Sequence, residues 1–218
     1  MRANTSFGLK FNLTNRISVR PDICYAQIVG SDAYSGDLGR FNRNLSFKTD
    51  IYELTFTPEF VLVNLGNFSH KKTATSEIYG FAGFGILQFN PQAQYDGVWY
   101  DLQPLGTEGQ GLKPGTQLYN LQSWVVPFGF GYRKNIGKRT YVGFELSMRK
   151  SFTDYIDDVS KNYYDTDALL EERGEIAASL NDRNLDKPAV NFSGRRNPKK
   201  NNDNYSFVQI TFSRGIGK

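Results

Sequence analysis

The chain has 218 residues, with 26 Lys plus Arg against 22 Asp plus Glu and a formal net charge of +4. Hydrophobic residues at 39% and charged ones at 22% exclude a disordered chain, and the length suits one domain over residues 1–218. A single Cys excludes an internal disulfide, Cys24 and His70 are too few donors for a structural zinc site, and the mild charge gives no ground for nucleic acid.

No apolar run approaches the ~18 residues of a spanning helix. The mean hydropathy of −0.50 suits a soluble protein, but equally a barrel in which only alternate residues meet lipid. Residues 1–5 lead straight into a patterned segment and do not read as a leader peptide.

Strict alternation marks seven strand segments. The first sets Phe7, Leu9, Phe11 and Leu13 against Ser6, Gly8, Lys10 and Asn12, and a turn at Thr14 and Asn15 follows. The second sets Ile17, Val19, Ile23 and Tyr25 against Ser18, Arg20, Asp22, Cys24 and Ala26. The third sets Tyr52, Leu54, Phe56, Phe60 and Leu62 against Glu53, Thr55, Thr57 and Glu59. The fourth, over 78–89, is glycine-rich, with Ile78, Ala82, Phe84 and Ile86 opposite Tyr79, Phe81, Gly83 and Gly85. The fifth sets Trp124, Val126, Phe128, Phe130 and Tyr132 against Ser123, Gly129, Gly131 and Arg133. The sixth is the most regular: Val142, Phe144, Leu146 and Met148 against Tyr141, Gly143, Glu145, Ser147 and Arg149. The seventh, over 205–214, sets Val208, Ile210 and Phe212 against Phe207, Gln209, Thr211 and Ser213.

Short connections follow the first, third and fifth segments (14–15, 67–75 and 134–138). Long polar ones follow the second, fourth and sixth (30–47, 90–122 and 151–204). Loops sorted in this way by length are a mark of outer-membrane barrels. The polar faces carry Lys10, Arg20, Asp22, Glu53, Glu59, Arg133, Glu145 and Arg149, four of each sign. A lipocalin-like soluble barrel would enclose the aromatic face, whereas a membrane barrel would enclose the charges. The second reading is favoured because the polar face holds most of the glycines, as a narrow lumen needs, and balanced charges can pair there. The eight charged residues are therefore expected to form a lumen network, with Tyr79, Phe81 and Tyr141 filling the space beside them.

Pro21, Pro58 and Pro127 fall inside segments, where each forfeits a ladder hydrogen bond, so bulges or strand ends are expected there. The last long connection holds one expected helix, capped by Thr166 and carrying Leu169, Leu170, Ile176 and Leu180. Asp154, Asp157 and Asp158 lack the spacing of a calcium loop and read as a solvated acidic loop. Arg195, Arg196, Lys199 and Lys200 read as a solvated basic one. No catalytic, cofactor or metal site is expected. His70 sits between polar residues of a short turn, Glu53, Glu59 and Glu145 read as ionised partners of the arginines, and no phosphate-binding glycine motif is present.

Four stretches carry a resemblance: FNPQA at 89–93 running on to WYDLQPLGTEGQG at 99–111, RKSFTDYIDDVS at 149–160, residues 195–203, and RNLSF at 43–47. Together they resemble the PorG-like outer-membrane β-barrels of the type IX secretion system. The resemblance implies an all-β, antiparallel, up-and-down outer-membrane β-barrel with eight strands in the family, of which seven are visible in this chain. It implies a non-enzymatic component that scaffolds or anchors a periplasmic ring of PorK and PorN type, with no cofactor and no catalytic residues. Members of that family carry a leader and one more strand before the segment aligned with 7–13, so the first strand is expected to be missing and the edges at 7–13 and 208–212 to lack a ladder partner. The other function class that fits the residues is a passive or adhesive outer-membrane barrel with no secretion role.

Overall fold

The computed structural model describes residues 4–66, 76–137, 139–185, 196 and 201–216. Its strands are β1 Asn4–Gly8, β2 Phe11–Asn12, β3 Ile17–Ser31, β4 Ser46–Asn64, β5 Ser76–Ala82, β6 Phe84–Tyr95, β7 Val98–Asp101, β8 Gln122–Gly137, β9 Thr140–Ser151 and β10 Asn204–Arg214. The helices are α1 Leu38–Arg43, α2 Leu102–Leu105, α3 Thr166–Arg173 and α4 Glu175–Asn181. All pairings are antiparallel, and the protein is an all-β chain built on one sheet: β1 and β2 on β3, then β4, then β5 with β6, then β8, β9 and β10, with β7 as a hairpin on β6.

Among the described residues ten strands stand where alternation distinguishes seven. The hairpin at Asp96–Gly97 adds β7; both residues take positive φ there. The first segment breaks at residues 9–10 and the fourth at Gly83, and prolines explain both breaks. Gly8 pairs with Asp22 and Phe11 with Val19, so the first break faces Arg20 and Pro21. Phe81 pairs with Glu59 and Phe84 with Phe56, so the second faces Thr57 and Pro58 on one side; on the other the Gly83 N–H donates to the Pro127 carbonyl at 2.8 Å. A proline has no N–H to offer across the ladder, and the neighbour's pairing lapses there. The expectation of bulges at the prolines themselves is therefore corrected. Pro21, Pro58 and Pro127 keep their register, and the register shifts fall at Val61/Val63 and Asn135/Gly137. Gly83 is also required sterically, since a Cβ there would lie 2.3 Å from the Phe56 carbonyl oxygen.

The alternation holds through the sheet. On β4 every second residue from Thr49 to Val61 is buried, and Tyr52, Leu54, Phe56, Phe60 and Leu62 are exposed. Val142, Phe144, Leu146 and Met148 on β9 are exposed, while Glu145, Ser147 and Arg149 are buried. The sheet curls about its polar face, because side chains of strands that are not neighbours meet there, β3 with β9 and β4 with β10.

The long connections fold over one end. Tyr119 and Ile156, from two of them, pack on Ile51, Leu87, Phe89 and Val125 from the strands. The described part of the last connection carries two helices, not one. Asp165, not Thr166, caps the first, its carboxylate accepting from the N–H groups of Asp167 and Ala168, and Gly174 with φ of 83° divides it from the second. The turn at 67–75 with His70, and Arg195, Lys199 and Lys200, lie outside the described residues.

Candidate ion network on the enclosed face

Strand alternation decides which side chains reach the inner face, and the curl of the sheet decides which of them meet. Glu59 on β4 is at the centre of the larger group, with its side chain fully buried. It accepts from Lys10 Nζ at 2.7 Å, Arg20 Nη1 at 2.7 Å, Arg133 Nη1 at 2.8 Å and the Ser18 hydroxyl at 3.3 Å. Arg20 on β3 spreads its donors further, to Asp22 at 2.7 Å and to both carboxylate oxygens of Glu145 at 3.0 and 3.1 Å. Arg133 also reaches Glu77 at 2.7 Å, and the Tyr79 hydroxyl donates to Glu145 at 3.0 Å. A smaller group lies nearer the long connections, where Arg149 Nε donates to Glu53 at 3.0 Å and the Tyr205 hydroxyl donates to the same carboxylate at 2.6 Å.

All eight charged residues singled out from the sequence thus lie on the inner face in ion pairs, divided between two groups. Aromatic rings fill the space between the charges: the Arg133 guanidinium lies 4.4 Å from the centre of the Tyr79 ring and that of Arg149 5.0 Å from Phe207. Three members were missed. Glu77 shares the face of Tyr79 and Phe81, one step before the stretch where alternation was counted. Ser18 and Tyr205 bear no charge to mark them. Carboxylates with two to four charge-assisted partners drawn from different strands are suited to holding those strands together. Among the described residues no group of three or more His, Cys, Asp or Glu is placed to hold a metal ion.

A third polar group lies among the long connections and corrects two expectations at once. Arg196, read from the sequence as part of a solvated basic loop, is 2% exposed, and Asp158, read as part of a solvated acidic one, is wholly buried. Arg196 Nη1 donates to Asp158 at 3.3 Å and to the Thr107 hydroxyl at 2.6 Å, and Nη2 donates to the Leu180 carbonyl at 3.2 Å. The Thr107 and Tyr119 hydroxyls donate to the same carboxylate. One guanidinium thereby ties the connection after β7 to both ends of the connection after β9. Glu108 stands 3.8 Å from Arg196 and accepts from the N–H groups of Ser160 and Lys161. Burial pushes its carboxyl up to about 7 despite Arg196 and those N–H groups. Burial and the nearby Asp157 push Asp203 up to about 8.

A family model for a domain of unknown function, DUF6089, matches residues 2–171. The chain belongs to the DUF6089 family. The matched region of this DUF6089 chain holds every charged member of both inner-face groups and the first two long connections. Tyr205, Arg196 and β10 lie beyond it. No curated protein and no solved structure matches the chain.

Proposed function

We propose that this DUF6089 protein is an outer-membrane β-barrel that serves, without enzymatic activity, as a component of the type IX secretion system, scaffolding or anchoring a periplasmic ring of PorK and PorN type. The observation that carries the membrane part is the sorting of the two faces. Residues 124–132 of β8 expose Trp124, Phe128, Phe130 and Tyr132 on one face, over about the 9–11 residues that a tilted strand needs to cross. The opposite face is closed by ion pairs. Tyr52 and Trp124 lie two residues apart in register on the exposed face, as members of an aromatic girdle would. Among the described residues no helix is long and apolar enough to cross a membrane.

The secretion part rests on the resemblance of residues 43–47, 89–111, 149–160 and 195–203 to the PorG-like barrels. A role in holding a complex asks for rigid walls and no open pore, and cross-strand arginine pairs supply rigidity. Deletion of the gene tests the role. The expected result is cargo retained in the periplasm and a ring that separates from the outer membrane on fractionation. Normal secretion with an intact ring would leave a passive or adhesive barrel.

A further inference from the structure

Beneath the long connections lies a cavity of about 60 Å3 that the inner-face network does not reach. One enclosed water needs roughly 10–15 Å3, so the space holds about four oxygen atoms. Three guanidinium groups from separate parts of the chain line it: Arg43 at the end of α1, Arg183 just after α4, and Arg196.

Their charges are not equally met. Arg43 is neutralised by Asp32, with Nε to Oδ2 at 2.6 Å and Nη2 to Oδ1 at 2.8 Å, and its remaining Nη1 donates to the Arg196 carbonyl. Arg196 is paired with Asp158, but its buried Nε has no hydrogen-bond acceptor among the described residues. Arg183 donates to the Ser46 hydroxyl at 2.9 Å and makes no ion pair among the described residues. The charge that bears on it is the like charge of Arg196, which together with burial pulls its pKa down. Asp157, the other carboxylate in the wall, accepts from the Val159 N–H, and burial pushes it up to about 6. Two cations held near each other, one with no counter-charge among the described residues and one with a bare buried N–H, are costly without an anion beside them. A tetrahedral anion offers four acceptor oxygens and negative charge at that spot, and arginine is the side chain best matched to it.

We propose that this cavity binds a phosphate group, free or as the headgroup phosphate of a lipid, through Arg183, Arg196 and the Ser46 hydroxyl. The proposal rests on the fold of the long connections and is independent of the secretion role.

The test uses the full-length protein in phosphate-free detergent solution. Inorganic phosphate is titrated by calorimetry, and in parallel the protein is mixed with micelles of a phosphorylated glycolipid or of its dephosphorylated counterpart. Arg183→Gln is the main variant, because Arg183 is only half-buried and makes one side-chain hydrogen bond; Ser46→Ala is the second. Circular dichroism checks that both remain folded. Saturable binding that Arg183→Gln weakens at least tenfold is the expected result, with sulfate competing and chloride not. Binding of inorganic phosphate assigns the free ion, and binding of the phosphorylated lipid alone assigns a headgroup. No saturable binding in either arm, or equal binding by the folded Arg183→Gln protein, would overturn the proposal.

Discussion

Gln209 on β10 donates from Nε2 to Asn4 Oδ1 at 2.9 Å and to the Ser6 hydroxyl at 3.2 Å on β1, joining by side chains two strands that share no backbone ladder. Among the described residues β1 pairs only with β3 and β10 only with β9, and successive antiparallel pairings make β1 and β10 run the same way. Between them toward the short turns lies a cleft of about 700 Å3, lined by Phe7, Phe11, Phe212 and Arg214 among others. Hydrogen–deuterium exchange should therefore find alternate amides of β10 and the outer amides of β1 and β2 exchanging early. Those of β4 and β8, paired on both sides, should be protected. Uniform protection across β10 would show that these edges are paired.

Glu59 gives the sharpest stability prediction. Glu59→Ala leaves Lys10, Arg20 and Arg133 facing one another without their shared counter-charge. Breaking a buried pair in this way costs about 3–5 kcal/mol. Tyr79→Phe removes one hydroxyl donor to Glu145 and should cost about 0.5–1.5 kcal/mol. Thermal unfolding in detergent, followed by circular dichroism, orders the two variants. Equal effects would mean that the network does not hold the strands.

Gly83→Val tests the account of the break between β5 and β6. Its Cβ would meet the Phe56 carbonyl at 2.3 Å and the Thr57 Cα at 2.9 Å, both of them backbone, so the strand must move. Overpacking of this kind costs about 1–3 kcal/mol. Gly115→Val is the control for chain entropy in a loop, because no atom lies within 4 Å of its Cβ, although its φ of 75° carries a strain of its own. The Gly83 variant should shift the unfolding of the whole sheet, whereas the Gly115 variant should perturb only the connection between β7 and β8.

The long connections should respond to pH. Glu108 and Asp203 are pushed up, to about 7 and about 8, so the folded cap binds protons more tightly than the unfolded chain, whose carboxylates titrate near 4. Their contribution is therefore fully present below about pH 4 and is lost as pH rises through 7 to 8. Protease sensitivity of 102–121 and 152–185 should increase from pH 6 to pH 9, and Asp203→Asn should flatten the upper part of that rise. A cap that tightens over the same range would contradict the assigned environments.

How much of this was legible in the sequence differs between strands and connections. A period of two is a local signal, so Glu53, Glu59, Glu145 and Arg149 could be placed on one face from their spacing alone. Their partners could not, because Arg20 meets Glu145 across 125 residues only once the sheet has curled. The breaks at residues 9–10 and at Gly83 were hidden for a related reason: the prolines behind them stand on neighbouring strands. In the connections there is no period to read. Arg196 and Asp158 looked like solvated charges because each lies in a polar stretch, and the two are 38 residues apart.

We propose that the aromatic face meets lipid while the charged face is enclosed. Phe130, which is 65% exposed in the middle of β8, reports on it most directly. A protein carrying Trp99→Phe, Trp124→Phe and Phe130→Trp has one tryptophan, at that position. Reconstituted into bilayers whose acyl chains are brominated, it should lose most of its fluorescence and be indifferent to aqueous iodide. Fluorescence quenched by iodide and untouched by the brominated chains would place that face in water and contradict the account.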